Sequence, residues 1–191
     1  MKALILAAGK GTRLFPATKS TPKPLMPLAG KATLSYIIDE IVKSGISNIG
    51  LVVSEDNYNQ INKFIKVNHS DLKIKLIIQK NQLGVAHAVK ISKDYIKDDD
   101  FILYLGDNLF ENGIERLVKK FIKNNNNIIS LKFVEDPRKF GVAEIDDKEK
   151  LITITEKPKI PKSNYAVTGI YAFKNKIFKY IDKILISERG E

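Results

Sequence analysis

The hydrophobic positions of this chain follow two alternating patterns over its first two thirds. Short apolar runs predict buried β-strands at residues 2–6, 49–53, 73–79, 101–105 and 128–134. Between these runs, apolar residues recur at helical spacing, which predicts helices over residues 34–42, 58–65, 85–95 and 114–122. Strands that alternate with helices in short units indicate an α/β fold with a largely parallel sheet.

The alternation of predicted strands and helices ends after Pro137. Residues 141–145, 151–155 and 165–173 have the pattern of strands, but no full helix separates them. Antiparallel strands need only short connections, whereas parallel strands need a longer crossover. The sequence therefore predicts a partly antiparallel extension that carries a second half of the binding site.

Composition and charge narrow the class of protein. The 191 residues and the apolar fraction of 43% suit a single domain with a sizeable core. The chain has no cysteine, no signal-peptide pattern and no apolar run near the roughly 18 residues of a membrane span, so we expect a soluble cytoplasmic protein that binds no membrane. The net charge of +10 is spread along the whole chain, which favours a lysine-rich solvated surface over a nucleic-acid-binding face.

The strongest local signal is the glycine-rich segment after the first predicted strand. It reads Leu-Ala-Ala-Gly-Lys-Gly-Thr-Arg-Leu over residues 6–14, with Pro-Lys-Pro at residues 22–24. Small residues let the backbone approach a polyphosphate, consecutive N–H groups can cradle its oxygens, and Arg13 and Lys23 supply cations. The segment is not a Walker loop, because its lysine is followed by glycine. It is not a dinucleotide-binding fingerprint either, because Leu14 stands where the third glycine belongs.

Further motifs follow this loop in order along the chain. They are Gln79 with Leu-Gly-Val-Ala-His-Ala at residues 83–88, Leu-Gly-Asp-Asn at 105–108, Phe-Gly-Val-Ala-Glu at 140–144, Glu-Lys-Pro at 156–158 and Pro-Lys-Ser-Asn-Tyr-Ala-Val-Thr-Gly-Ile-Tyr at 161–171. Together they resemble the glucose-1-phosphate thymidylyltransferases of the sugar nucleotidyltransferase superfamily. The chain has Ala8 where that family usually has glycine, and alanine is common there in related members.

The resemblance implies an α/β, Rossmann-like three-layer fold with a mostly parallel mixed sheet. Residues 1–191 would form one nucleotidyltransferase domain. Its nucleotide-binding part would cover about residues 1–135 and its partly antiparallel sugar-binding part about residues 136–191. The resemblance also implies a homo-oligomer for the full-length protein.

The same resemblance assigns roles to the residues that match its motifs. Nucleotide binding falls to Ala8, Gly9, Gly11, Thr12, Arg13, Gln79 and Gly84, and binding of the sugar phosphate to Asn108, Gly141, Glu156, Lys157 and Val167. The implied catalytic residues are Arg13, which braces the departing pyrophosphate, Lys23, which bridges the reacting phosphates, and Asp107, which holds Mg²⁺. Gln79 would read the pyrimidine edge, since a carboxamide offers both a donor and an acceptor.

The chemistry of the implied reaction suits these residues. An oxygen of the sugar phosphate attacks the α-phosphorus of a nucleoside triphosphate, dTTP in the leading hypothesis, and pyrophosphate leaves roughly in line. Such a phosphate has a second pKa of about 6 and is already anionic near neutrality, so no general base is needed. The obstacle is repulsion between two polyanions, which cationic side chains and a divalent ion relieve. His87 is expected to be a packing residue, and Asp107 taken alone could also be a helix N-cap.

The family pattern continues beyond the last residue of this sequence. After residue 191 the family normally has Leu-Glu-Ile-Thr-Asp, and that aspartate is the second metal ligand. We therefore expect a fragment of a larger enzyme that binds nucleotide weakly and has much reduced activity. Pyrophosphate release at the rate of full-length relatives would contradict this expectation.

Three other functions remain open at this level. A close alternative uses UTP with glucose 1-phosphate or N-acetylglucosamine 1-phosphate, because thymine and uracil differ by one methyl group, worth about 1 kcal/mol in an apolar pocket. A non-catalytic nucleotide-sugar-binding fragment would keep the site without turnover. A nucleic-acid binder is the weakest reading, since no interleaving of aromatic and basic residues is present.

Overall fold

One mixed β-sheet with helices on both faces organises the molecule. A computed structural model describes residues 1–184, apart from the side chain of Arg13. The strands are β1 (Lys2–Leu6), β2 (Pro27–Leu28), β3 (Lys31–Ala32), β4 (Asn48–Val53), β5 (Lys73–Ile78), β6 (Phe101–Leu105), β7 (Ile128–Phe133), β8 (Gly141–Ile145), β9 (Leu151–Glu156) and β10 (Tyr165–Phe173). The helices are α1 (Thr33–Lys43), α2 (Glu55–Asn68), α3 (Gly84–Ile91), α4 (Lys93–Ile96), α5 (Glu115–Asn124) and α6 (Phe178–Ile181).

The parallel half of the sheet has the strand order β5-β4-β1-β6. In its centre, Ala3, Leu4 and Ile5 of β1 are fully buried, as expected for a strand that is covered on both faces. Because these strands run in the same direction, their carboxyl ends lie at one edge of the sheet, where ligands of such folds bind.

Helices cover the two faces of the sheet with two separate cores. Buried side chains of α1, α2 and α5, such as Ile37, Ile61 and Phe121, pack on one face. Buried side chains of α3 and α6, such as Val89 and Phe178, pack on the other. This three-layer arrangement confirms the α/β, Rossmann-like fold with its mostly parallel sheet.

Antiparallel strands extend the sheet beyond β6. Strand β10 pairs with β6, with Ile170 opposite Tyr104, and the order continues through β8 to β9. The predicted antiparallel extension is therefore confirmed. One strand was not expected there: β7 precedes Pro137 in the chain, yet it pairs antiparallel with β10. Periodicity predicts that a segment is a strand but not which strand it pairs with.

Two local features refine the predicted helices. The helix predicted over residues 85–95 is two helices, α3 and α4, that meet at Ser92. The hydroxyl of Ser92 donates to the carbonyl of Ala88 at 2.8 Å, a contact that competes with regular helical bonding. Within residues 1–184, no helix has both the length and the apolar character that crossing a bilayer requires.

Candidate active site

A cavity of about 330 Å³ opens where the first and sixth strands end. The backbone N–H of Gly106 donates to the carbonyl of Leu6 at 2.8 Å, and that of Ala7 donates to the carbonyl of Val52 at 2.8 Å. These bonds hold the ends of β6, β1 and β4 together. Six of the predicted site residues line the cavity, namely Ala8, Gly9, Lys23, Gln79, Gly84 and Asp107.

The loop after β1 is held in place through its carbonyl groups. Asn57 Nδ2 donates to the carbonyl of Ala7 at 2.9 Å, and Gln82 Nε2 donates to that of Ala8 at 2.7 Å. In the described part of the chain, no acceptor receives a hydrogen bond from the backbone N–H groups of residues 9–11. Several N–H groups in one tight loop form a concave site that suits phosphate oxygens.

Gly11 turns this loop against the segment that carries Lys23. Its φ of +63° lies in the left-handed region, and its carbonyl accepts a hydrogen bond of 2.9 Å from the hydroxyl of Thr18. A Cβ atom at this position would lie 3.1 Å from Thr18 and 3.3 Å from Lys23. The short 3₁₀ turn Thr12–Leu14 follows directly and contains Thr12 and Arg13. The side chain of Arg13 lies outside the described part of the structure, so its role stays a prediction.

Lys23 and Asp107 meet in the cavity although they are far apart in the sequence. Lys23 Nζ donates to Asp107 Oδ2 at 2.7 Å, and both side chains keep about a third to a half of their surface exposed, 35% and 47%. Lys23 lies in the 3₁₀ turn Lys23–Leu25, and Asp107 lies two residues after β6. Substrate can therefore reach both charges. No helix begins directly after Asp107, because the next helix, α5, starts only at Glu115. The interpretation of Asp107 as a helix N-cap is therefore wrong.

The donor set of the cavity fits Mg²⁺ that arrives with a nucleotide. Mg²⁺ prefers oxygen ligands and is usually held by one or two carboxylates together with water and substrate phosphates. Asp107 is the carboxylate among the residues that line the cavity. Over residues 1–184, no group of three or more His, Asp or Glu side chains lies close enough to hold a metal ion by itself.

Gln79 and Gly84 also line the cavity, and His87 contacts Gln79 from outside the lining. The side chain of Gln79 is 5% exposed, and its Nε2 lies 3.3 Å from the carbonyl oxygen of Gly84 and 3.0 Å from His87 Nδ1. Gly84 begins α3 with a φ of +83°, in the left-handed region that favours glycine. His87, which was expected to be a packing residue, also forms a hydrogen bond with the predicted site residue Gln79.

Most of the predicted sugar phosphate residues lie together on the antiparallel extension. A Cβ atom at Gly141 of β8 would lie 3.2 Å from Glu156 Oε2 and 3.6 Å from Val167, so β8, β9 and β10 contribute to one cluster. Lys157 Nζ lies 3.2 Å from Glu156 Oε1, and its backbone N–H donates to the carbonyl of Phe140 at 3.0 Å.

Asn108 connects this cluster to the cavity. Asn108 follows Asp107, and a side chain at Gly169 of β10 would collide with the amide of Asn108 and with Leu105. Gly169 has a φ of +82° and lies two residues after Val167. The predicted site residues therefore form two adjacent groups along one edge of the sheet.

Sequence reasoning missed three residues that hold the site in shape: Asn57, Gln82 and His87. Asn57 is buried at the third position of α2, and its side chain and that of Ser54 form a capping box. Its Ser-x-x-Asn spacing is a helix-start signal, but nothing in that spacing indicates the contact with the loop after β1. Gln82 lies next to a quoted motif, and its partner is 74 positions away in the chain.

Comparison with known proteins gives the family. A family model described as nucleotidyl transferase matches residues 2–191. A low-salt glycan biosynthesis nucleotidyltransferase from Haloferax volcanii is 38% identical, and a glucose-1-phosphate thymidylyltransferase from Streptomyces antibioticus is 41% identical; each match covers all of this chain and 54% of the relative. The bifunctional protein GlmU of Methanocaldococcus jannaschii is 42% identical, with 44% of its length covered.

Solved structures agree with these relatives. A candidate glucose-1-phosphate thymidylyltransferase from Bacillus anthracis superposes with a TM-score of 0.91 at 34% identity, and the match covers all of this chain and 78% of that one. A UDP-glucose pyrophosphorylase shares the fold, with a TM-score of 0.85 at 22% identity over all of this chain and 82% of that one. The chain spans about half the length of the curated relatives that it matches. It belongs to the nucleotidyl transferase family, among the sugar nucleotidyltransferases.

Proposed function

We propose that this chain carries the active site of an enzyme that joins dTTP to glucose 1-phosphate and releases pyrophosphate and dTDP-glucose. The observation that carries the proposal is the Lys23–Asp107 pair, 2.7 Å apart in a cavity that also receives the loop after β1. A cation, a carboxylate and a loop with available N–H groups are the elements that phosphoryl transfer between two anions requires.

The nucleotide phosphates would lie against the loop of residues 8–12. Its N–H groups would donate hydrogen bonds to the phosphate oxygens, and Gly9 leaves room because nothing lies within 4 Å of an added Cβ there. Lys23 would leave Asp107 and bridge the two reacting phosphates, which lowers the repulsion between them. Arg13 is proposed to brace the departing pyrophosphate, because a guanidinium offers two parallel donors to phosphate oxygens.

Asp107 is the residue that would hold Mg²⁺. The ion supplies a positive charge at the phosphate oxygens, where negative charge builds up during the displacement. With Lys23 displaced towards the phosphates, the carboxylate of Asp107 is free to take the ion.

The sugar phosphate would bind between Asn108 and the cluster on β8, β9 and β10. Glu156 would accept hydrogen bonds from sugar hydroxyl groups, and Lys157 would pair with the phosphate. Gly141 and Val167 would pack against the ring. Burial raises the pKa of Tyr171 on the same strand as Val167, and the carboxylate of Glu156 adds to this shift, so Tyr171 remains a neutral phenol at neutral pH.

UTP is the second candidate for the nucleotide. The contacts of Gln79 with Gly84 and His87 involve its carboxamide, a group that meets the pyrimidine edge shared by uracil and thymine. The 5-methyl group of thymine alone would separate the two, by about 1 kcal/mol. N-acetylglucosamine 1-phosphate belongs with UTP as the corresponding second acceptor.

A pyrophosphate-release panel tests the proposal. It combines dTTP, UTP, CTP, ATP and GTP with glucose 1-phosphate and N-acetylglucosamine 1-phosphate, in the presence of Mg²⁺. The 191-residue chain is compared with a version extended through the aspartate that the family resemblance leads us to expect. Absence of release by both versions with every pair would refute an enzymatic function.

The substitution Asp107→Asn separates turnover from binding. We expect pyrophosphate release to fall about a hundredfold or more, because the ligand for the ion is lost while the shape of the cavity is retained. Glu111→Gln is the matched control, since Glu111 is an exposed carboxylate four positions further along that does not line the cavity. Equal loss in both variants, or no loss in Asp107→Asn, would contradict the assigned role.

A further inference from the structure

The carboxamide of Gln79 can be oriented from its surroundings alone. The carbonyl oxygen of Gly84 can only accept a hydrogen bond, so the group that faces it at 3.3 Å must be the amide nitrogen. The same nitrogen lies 3.0 Å from His87 Nδ1. With one N–H directed at Gly84, the other meets Nδ1, which must therefore be the unprotonated acceptor. The ring proton of His87 then sits on Nε2.

This arrangement leaves one atom of the carboxamide for a ligand. Both amide hydrogens are engaged by the protein, and no described residue donates a hydrogen bond to Gln79 Oε1. Among the described residues, no buried side-chain nitrogen or oxygen lacks a partner, so Oε1, which has none, must be accessible. Oε1 is thus the free polar atom that Gln79 presents to the cavity it lines. The side chain of Gln79 therefore offers the cavity an acceptor and no donor.

We infer that His87 is a positioning residue that holds the Gln79 carboxamide with its oxygen towards the cavity, so that the base site selects pyrimidines bearing an N3–H group. Uracil and thymine carry a hydrogen on N3 and complement the oxygen. Cytosine has an unprotonated N3, which would place two acceptors against each other and leave Oε1 unpaired. This inference rests on the proposed function, and it replaces the donor-and-acceptor reading of Gln79 by an acceptor alone.

The role of His87 follows from what its absence would permit. Without an acceptor at Nδ1, one amide N–H of a side chain that is only 5% exposed would have no protein partner. Turning the carboxamide over would then still lose the bond to Gly84, but no longer a second bond to His87, and the turned group would offer a donor to cytosine N3. The hydrogen bond from Gln79 to His87 thus opposes the wrong orientation, and an average hydrogen bond corresponds to about a fivefold preference.

The test is the ratio of nucleotide affinities rather than any one affinity. Binding of UTP, dTTP and CTP is measured by calorimetry without a divalent ion, for the wild type, His87→Leu and His87→Asn. The wild type should prefer UTP and dTTP over CTP, and His87→Leu should reduce that preference about fivefold or more. His87→Asn, which returns an acceptor oxygen near the position of Nδ1, should restore much of it.

A purely structural role for His87 would lower all three affinities together and leave the ratio unchanged. His69→Leu provides the matched control, because the other histidine of the chain borders a different cavity, next to Ser35. An unchanged ratio in His87→Leu, or equal binding of CTP and UTP by the wild type, would overturn the inference while leaving the enzymatic proposal standing. Absence of binding by every nucleotide, together with absence of pyrophosphate release, would instead overturn the proposed function.

Discussion

At the scale of single residues, Gly106 controls how closely the ends of β1 and β6 approach. A Cβ atom there would lie 2.6 Å from the carbonyl oxygen of Leu6, well inside normal contact distance. The backbone N–H of Gly106 donates to that same oxygen at 2.8 Å. Asp107 is the next residue in the chain, so its position depends directly on this contact.

Gly106→Ala should therefore destabilise the fold and displace Asp107. Forcing an extra methyl group into a packed site costs about 1–3 kcal/mol, and each kcal/mol lowers the melting temperature of a protein of this size by about 2–4 °C. Thermal unfolding followed by circular dichroism measures the change. Gly9→Ala is the control for stability, because nothing lies within 4 Å of its added Cβ. Equal melting temperatures for Gly106→Ala and the wild type would contradict the steric argument.

At the scale of elements, the first turn of α2 supports the loop that precedes the cavity. Asn57 accepts a hydrogen bond from the backbone N–H of Ser54 at 2.9 Å and donates to the carbonyl of Ala7 at 2.9 Å. Both Asn57 and Ser54 are 7% exposed. One buried side chain therefore caps a helix and fixes the start of the loop that is proposed to bind phosphates.

Asn57→Ala should reduce stability and nucleotide affinity together. It leaves a buried N–H and a buried carbonyl without partners, which costs about 1–3 kcal/mol. Urea unfolding and calorimetric titration with UTP measure the two effects. Asn59→Ala is the matched control, because Asn59 is an exposed residue of the same helix, where alanine is the better helix former. Loss of stability without any loss of affinity would show that the loop does not depend on α2.

The elements themselves were largely predictable from the sequence, whereas their lateral contacts were not. The sequence predicts α1 because a helix buried on one face has apolar residues at helical spacing. It predicts β1 because a strand buried on both faces is a continuous apolar run. The pairing of β7 with β10 leaves no such pattern, because the sequence of a strand has the same apolar pattern whichever strand lies beside it. The break at Ser92 also escaped prediction, since it depends on one hydroxyl group.

The candidate site was predictable where a residue type is itself the signal. Asp107, Lys23 and the glycines of the loop were identified because metal ions and phosphates require those groups. Gln82 and His87 were missed as site residues because their importance lies in particular partners, at Ala8 and Gln79. Those partners become neighbours only when the sheet has formed.

At the scale of the whole molecule, a buried histidine on the opposite side from the cavity links stability to pH. His69 is 8% exposed, and its Nε2 lies 2.9 Å from the hydroxyl of Ser35. Burial lowers the pKa of His69 in the folded protein, an effect that the nearby Asp39 carboxylate opposes and Lys31 reinforces. The folded chain therefore holds His69 neutral at pH values where the unfolded chain protonates it.

This difference in protonation predicts a loss of stability on acidification. The stabilising contribution is fully present above the unfolded pKa of about 6.5 and is lost as the pH falls through the lower folded pKa. Urea unfolding at pH 7.5, 6.0 and 5.0 should give falling midpoints for the wild type, and a shallower dependence for His69→Gln. Parallel pH dependences in the two proteins would contradict the assignment to His69.

Strand β10 has a consequence for how the two substrates are spaced. Its end near Phe173 pairs with β6, which leads into Asp107, while its start near Tyr165 pairs with β8 of the sugar cluster. Only two residues stand between Val167 and Ile170 in this strand, and one of them is Gly169 with its φ of +82°, where the pairing register with β7 shifts. The spacing of the two proposed half-sites is thus fixed by the covalent backbone of one strand.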